Sequence, residues 1–155
     1  MTITNFDKKY AREIDALEDK EWRHLPIKKH HKNGDIIKVA LDGARVIGVA
    51  YGQKRGDLFI YETCVIAETH RGKNVGTDLT VALIDHARDL GCRNAVARCV
   101  YSLGKMNARG LMDKLGFRET LHVRDYWDCY TDAPCRVCGE NPCQCTCVFF
   151  IKELK

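Results

Sequence analysis

Residues 61–77, YETCVIAETHRGKNVGT, run from an apolar strand through a basic, glycine-bearing turn into a helix, and few folds accommodate that succession. Residues 58–67 are rich in β-branched and aromatic side chains, whereas from Thr77 the apolar residues recur at the helical spacing. Strand, turn, helix is the predicted order. Between them, Arg71-Gly72-Lys73-Asn74-Val75-Gly76 places glycine where a backbone needs positive φ or must approach a ligand closely, with successive N–H groups facing the helix start. The helix N-terminus adds about half a positive charge and up to about four N–H donors, so the turn is an anion cradle into which a diphosphate fits. An ordinary connection carrying two solvated cations is the competing reading.

The stretch resembles the acyl-CoA-binding motif of the GNAT N-acyltransferase superfamily, Gln/Arg-x-x-Gly-x-Gly/Ala, with Arg71 first and Gly76 last. Asn74 departs from it, standing where the family's first glycine usually does. Asparagine tolerates left-handed backbone angles better than other non-glycine residues, so the loop is expected to keep its shape. The resemblance continues beyond the motif. Gly91 closes the helix, a strand follows at residues 94–100, and a second helix ends in Lys114-Leu115-Gly116-Phe117, similar to the family's KLGF ending. Together these features cover about residues 36–121.

The resemblance implies an α/β (α+β) fold in which helices flank a central mixed sheet, splayed near its middle to admit the cofactor. It implies acetyl transfer from acetyl-CoA to a primary amine of a small molecule or protein, by direct attack without an acyl-enzyme. The matching cofactor positions are the turn itself, Arg71, Gly72, Lys73, Asn74, Val75, Gly76 and Thr77, and the strand backbone at Cys64, Val65 and Ile66, whose N–H groups would hold the acetyl oxygen. Such transfer needs a proton acceptor, donors for the oxyanion and a tolerable thiolate leaving group. Glu62, nine residues before Arg71 where several family members carry an acid, is the candidate base; flanked by Tyr61, Val65 and Ile66, it is expected to be partly desolvated with a raised pKa. A solvent-facing strand glutamate is the alternative.

Cys64 as a nucleophile is disfavoured, because the sequence places no histidine beside it. At the leaving-group end, Met112 falls where the family often has a tyrosine acid and Lys105 where it often has asparagine. Methionine cannot donate a proton, but a thiol with a pKa of about 8.5 leaves acceptably unaided. Tyr101, Tyr126 and Tyr130 are the substitutes the sequence offers.

At 155 residues, 45% apolar and 30% charged, the chain suits one domain spanning residues 1–155 with a substantial core. A net charge of +4 fits an anionic cofactor without demanding nucleic acid. The N-terminus has no apolar leader segment, and no apolar run approaches the roughly 20 residues of a membrane span, so a cytoplasmic location is expected. Oligomeric state is left open, a homodimer included.

Along the chain, Asp7 is a candidate cap for a helix whose apolar face carries Phe6, Tyr10, Ile14 and Leu17, with Pro26 ending whatever remains of it. The segment RHLPIKKHHK, residues 23–32, reads as a solvated connection in preference to a charged lip around the site. Residues 36–41 and 45–52 are strands joined by Asp42-Gly43, a hairpin signature. The helix from Thr77 presents Leu79, Leu83, Ala87 and Leu90 on one face.

Nine cysteines are the compositional anomaly, and six lie between Cys129 and Cys147, within the connection joining the strand FRETLHV to a final strand at residues 147–154. Such crowding in a reducing compartment argues for metal rather than disulfides. Cys135-Arg136-Val137-Cys138-Gly139 is a C-x2-C-G knuckle, and Cys143, Cys145 and Cys147 alternate along the chain. Cys135, Cys138, Cys143 and Cys145 are the expected ligands of a structural Zn2+, with an iron–sulfur cluster or a second zinc as alternatives, and Cys129 and Cys147 facing each other across the hairpin stem. Two other functions compete with the enzyme: an acyl-CoA-sensing module gripping protein or nucleic acid through the zinc loop, and a thiol redox sensor.

Overall fold

The computed structural model describes residues 1–21, 35–126, 134–135 and 137–155. Pro26, the 23–32 segment, Cys129 and Tyr130 therefore lie outside the described residues. The elements are β1 (Thr2–Asn5), α1 (Ala11–Glu21), β2 (Asp35–Asp42), β3 (Arg45–Arg55), β4 (Leu58–Ile66), α2 (Val75–Asp89), β5 (Asn94–Tyr101), α3 (Arg109–Lys114), β6 (Arg118–Arg124) and β7 (Thr146–Glu153). Short 3-10 turns at Lys8–Tyr10 and Glu68–His70 precede α1 and α2. This is the expected α/β class: helices beside a seven-stranded sheet, with the cysteine-bearing connection between the last two strands. No helix among the described residues is long and apolar enough to cross a membrane.

The chain divides into two compact units, residues 1–95 with 153–155, and residues 96–152. In the first, β1, β2, β3 and β4 form an antiparallel meander. Asp42 pairs with Arg45, leaving a two-residue turn whose first position, Gly43, has φ +60°, the sign that a tight hairpin requires there. One sheet face packs on α1: Ile14 and Leu17 join Ile37, Val39, Leu41, Val46, Val49, Tyr51 and Val65 in a cluster that Phe6 and Tyr10 edge, as the helical spacing predicts. Asp7 caps the preceding 3-10 turn by accepting from the Lys9 N–H at 3.0 Å.

Helix α2 buries Leu79, Leu83 and Ala87. Its end differs from expectation at Leu90, which is 42% exposed. The reason is the cap: Gly91 (φ +83°) donates to the Arg88 carbonyl at 2.8 Å and Cys92 to that of Ala87 at 3.0 Å, a Schellman arrangement that turns the chain before Leu90 can face the core.

Two glycines of β3 fix how closely its neighbours approach. A Cβ on Gly48 would lie 2.8 Å from Ile66 Cδ1 and 3.0 Å from Leu79 Cδ1, and one on Gly52 only 2.0 Å from Phe59 Cζ. The Phe59 ring, fully buried, fills the space that a side chain at residue 52 would need. Gly52→Ala is therefore expected to cost about 3 kcal/mol, the upper part of the overpacking range, measured as a reduced urea midpoint with unchanged slope.

In the second unit, β7 lies between β5 and β6, and β6 pairs antiparallel with β7 as expected. Helix α3 ends as α2 does: Gly116 (φ +71°) donates to the Asp113 carbonyl and Phe117 to that of Met112, both at 3.0 Å. Met112 and Phe117 hold the two positions at which an apolar pair often accompanies this motif, and both are buried.

Candidate functional site

The expected turn between β4 and α2 is present as backbone geometry. After β4 the chain makes the 68–70 turn, passes Gly72 at φ +73°, and reaches Asn74 at φ +63°, ψ +3°, immediately before α2. Asn74 thus takes the left-handed conformation expected of it. Helical bonding begins with Asp78 N–H to the Asn74 carbonyl at 3.0 Å, so the amides of Val75, Gly76 and Thr77 have no acceptor within the helix. They open, with the positive end of the helix dipole, onto an exposed bend carrying Lys73.

Gly76 lies at the head of that row. A Cβ there would sit 3.7 Å from Ile66 Cγ1 and 3.8 Å from Cys64 Sγ, ordinary contact distances. The protein itself therefore has room for a methyl group at this position.

Arg71 does not reach into this space as a free cation. Its guanidinium pairs with Glu21 at the end of α1, and its Nε donates to the Ile66 carbonyl at 3.2 Å. The other Glu21 oxygen accepts from the Glu68 N–H at 3.2 Å. Glu21, its side chain only 6% exposed, thereby clamps both ends of the bend. Nothing in the sequence relates residues 21 and 71, because their meeting depends on how α1 lies on the sheet.

Strand β4 is irregular where the chemistry is expected. Tyr51 pairs with Thr63 but its neighbour Gly52 pairs with Tyr61, so Glu62 is the extra residue of a β-bulge, half-buried. Bulges bend a strand and re-aim its side chains, and they recur beside active sites. The bulge also explains why Tyr61 and Cys64, three residues apart, both meet α2. The Tyr61 hydroxyl lies 3.1 Å from Thr80 Oγ1, which donates to the Gly76 carbonyl at 2.7 Å, and Cys64 Sγ adjoins Gly76. Since Thr80 spends its one hydrogen on Gly76, Tyr61 is the donor to Thr80.

Amide directions along β4 separate the three backbone positions proposed for the acetyl oxygen. Ala67 N–H donates to the Ile47 carbonyl at 2.9 Å, which makes Ile66–Gly48 a non-hydrogen-bonded pair of the ladder. Val65–Val49 is then the hydrogen-bonded pair and Cys64–Ala50 again is not. The Val65 amide is committed to β3, whereas those of Cys64 and Ile66 point to the opposite edge.

Burial pushes the Cys64 thiol up to about 11, an effect that the adjoining Tyr61 and Thr80 hydroxyls only partly offset. It is a thiol, not a thiolate, at neutral pH. Cys64→Ala is accordingly expected to retain turnover, and intact mass after mixing with acetyl-CoA should show no acetyl adduct on the wild-type chain.

At the position where the family often has a tyrosine, Met112 is fully buried as part of a helix stop. That site cannot present an acid to substrate. Of the substitutes, Tyr101 is exposed at the end of β5, and Tyr126 accepts from Arg98 Nη1 at 3.3 Å while packing edge-on against Phe149.

The four predicted thiols converge. The sulfurs of Cys135, Cys138, Cys143 and Cys145 all lie within 4.8 Å of one another. The knuckle is held by Cys135 N–H to the Glu140 carbonyl (2.8 Å) and Gly139 N–H to the Cys135 carbonyl (2.7 Å), with Gly139 at φ +79°. Val137 N–H donates to Cys135 Sγ at 3.4 Å and Cys145 N–H to Cys143 Sγ at 3.5 Å. Burial opposes ionisation of Cys138, but the amides of Gln144 and Glu140 and the adjoining thiols outweigh it and lower its pKa.

Cys147 lies outside the cluster, as expected, and is buried in β7 opposite Val123; Cys129, expected to face it, lies outside the described residues.

Comparison with known proteins gives these features a context. The sequence profile described as Acetyltransferase (GNAT) family matches residues 2–117. Among solved structures, the ribosomal-protein-S18-alanine N-acetyltransferase of Escherichia coli superposes with a TM-score of 0.77 at 14% identity, over 99% of this chain and 94% of that one. The aminoglycoside 6'-N-acetyltransferase of Enterococcus faecium gives 0.80 at 12%, covering 100% and 98%. A Bacillus subtilis acetyltransferase in complex with CoA gives 0.76 at 20%, covering 99% and 98%. No curated protein sequence matches the chain.

Proposed function

Because the chain belongs to the GNAT acetyltransferase family, we propose that it transfers the acetyl group of acetyl-CoA to a primary amine by direct attack in a ternary complex. The observation that carries this is the bend before α2, with left-handed Gly72 and Asn74 and three amides lacking helical acceptors in front of Gly76. These amides suit a diphosphate, with Lys73 beside them; Arg71 acts through Glu21 to hold the bend in shape.

Glu62, at the bulge, accepts a proton from the ammonium and leaves a lone pair on nitrogen. That pair forms the new bond to the thioester carbonyl carbon. Negative charge gathers on the carbonyl oxygen against the outward amides of Cys64 and Ile66; the C–S bond then breaks, and the proton left on the amide nitrogen passes to the departing thiolate, releasing CoA as its thiol. The burial of Met112 favours one competitor, a module that binds acyl-CoA without turning it over. On the same reading, Cys135, Cys138, Cys143 and Cys145 hold one structural Zn2+; four thiolates complete a tetrahedral shell and leave no position for substrate.

The test is a panel of small amines and peptides with acetyl-CoA, followed by release of free thiol. Turnover that falls on the order of 100-fold in Glu62→Gln, with acetyl-CoA binding retained, is the expected result. Binding without thiol release from any acceptor would favour the non-catalytic module.

A further inference from the structure

The buried face of α2 is apolar at Val75, Leu79, Leu83, Ile84 and Ala87, and Thr80, fully buried, is the exception among them. A hydroxyl taken that far from water costs free energy unless it is hydrogen-bonded. Both of its capacities are used here: Thr80 Oγ1 donates to the Gly76 carbonyl at 2.7 Å and receives the buried Tyr61 hydroxyl at 3.1 Å. A threonine bond back onto the carbonyl four residues earlier slightly weakens a helix. Packing alone would be served as well by valine, which has the same shape.

The oxygen that receives Thr80 belongs to the same planar, resonance-coupled peptide group as the Thr77 N–H. A hydrogen bond accepted at that oxygen draws electron density from the nitrogen and makes the N–H a stronger donor, and successive bonds in a chain polarise one another in this sense. The Thr77 N–H is one of the three amides at the bend without an acceptor in α2. At the other end of the chain, Tyr61 stands on β4 directly before Glu62, the extra residue of the bulge. The hydroxyls thus link the irregular point of the strand to the amide row of the bend, through the core.

We propose that Thr80 and Tyr61 are positioning residues for the diphosphate of acetyl-CoA: the hydrogen-bond chain from Tyr61 through Thr80 to the Gly76 carbonyl polarises the Thr77 amide and fixes its direction. This rests on the cofactor reading above and deepens it.

The test measures acetyl-CoA affinity by calorimetry, the Thr77 amide nitrogen resonance of the ligand-free protein, and its melting temperature, in the wild-type chain, Thr80→Val, Thr80→Ser, Tyr61→Phe and the Tyr61→Phe/Thr80→Val pair. Thr80→Val should bind acetyl-CoA roughly 3–10-fold more weakly, as part of one charge-assisted hydrogen bond is lost, with the Thr77 resonance moved upfield. Thr80→Ser should restore both. Tyr61→Phe should weaken binding by a smaller factor and add nothing once residue 80 is valine, because it acts through Thr80. The pair, with both partners apolar, should melt near the wild-type temperature while binding as weakly as Thr80→Val, so that stability and affinity part company.

Wild-type affinity and an unmoved resonance in Thr80→Val would overturn the role of the hydroxyls while leaving the cofactor site standing. Losses of affinity that simply add in the pair, or that follow its melting temperature, would mark packing defects and also overturn it. Wild-type protein that does not bind acetyl-CoA would overturn both readings. Should Thr80→Val fail to fold, Tyr61→Phe decides by the same affinity and resonance.

Discussion

In a Gly76→Trp variant, acetyl-CoA should produce no rise in melting temperature, whereas the wild-type chain at a hundredfold excess over Kd should gain about 2.7 kcal/mol, or roughly 5–11 °C for a protein of this size. The indole would stand in front of the amides of Val75, Gly76 and Thr77, where the diphosphate is proposed to lie. Gly76→Ala is the sharper instrument. Its methyl meets Ile66 and Cys64 at ordinary distances, 3.7 and 3.8 Å, so the ligand-free protein should be unharmed or gain up to about 1 kcal/mol from the better helix former. Yet the same methyl narrows the approach to the bend, and the shift induced by acetyl-CoA should shrink. A stabilised apo-protein with an undiminished shift would show that the cofactor binds elsewhere.

Removing the metal should have the second large effect. Zn2+ bound by an all-cysteine set contributes folding free energy directly, about 10–16 kcal/mol in isolated zinc-finger peptides. Chelation, or Cys138→Ser, is expected to remove the bound ion, lower the melting temperature, and expose the Gly139 and Asp125 amides, which are bonded to the Cys135 and Cys145 carbonyls, to rapid exchange. Amides in the β2–β3 ladder should exchange as slowly as before. A purified protein whose melting temperature and exchange pattern ignore chelator would refute the assignment of metal to these thiols.

The sequence announced these two sites unequally well. The bend was legible because its requirements are local: glycine and asparagine are the residues that enter left-handed space cheaply, and Gly72 and Asn74 are both found there. The cysteine cluster was legible because a knuckle with its glycine, followed by two alternating cysteines, constrains four sulfurs within eleven residues. What escaped was anything needing the tertiary arrangement. Glu21 reaches Arg71, 50 residues further along the chain. Leu90 kept the helical period but lay one residue beyond the point where the cap turns the chain. The bulge at Glu62 was hidden for a related reason, since simple alternation places Tyr61 and Cys64 on opposite faces and only the pairing register reveals that they share one.

The contact between Gly52 and Phe59 constrains the lineage as well as the fold. With a methyl at position 52 only 2.0 Å from the ring, neither site can drift alone. Loss of the ring at position 59 would remove the larger part of the clash, leaving the Ile60 carbonyl oxygen 2.9 Å from the methyl, and that intermediate leaves a hollow under the hairpin adjoining the bulge. Relatives that diverge here are expected to have changed the two positions as a pair, and an engineered library randomising one of them should recover almost solely the parental residue.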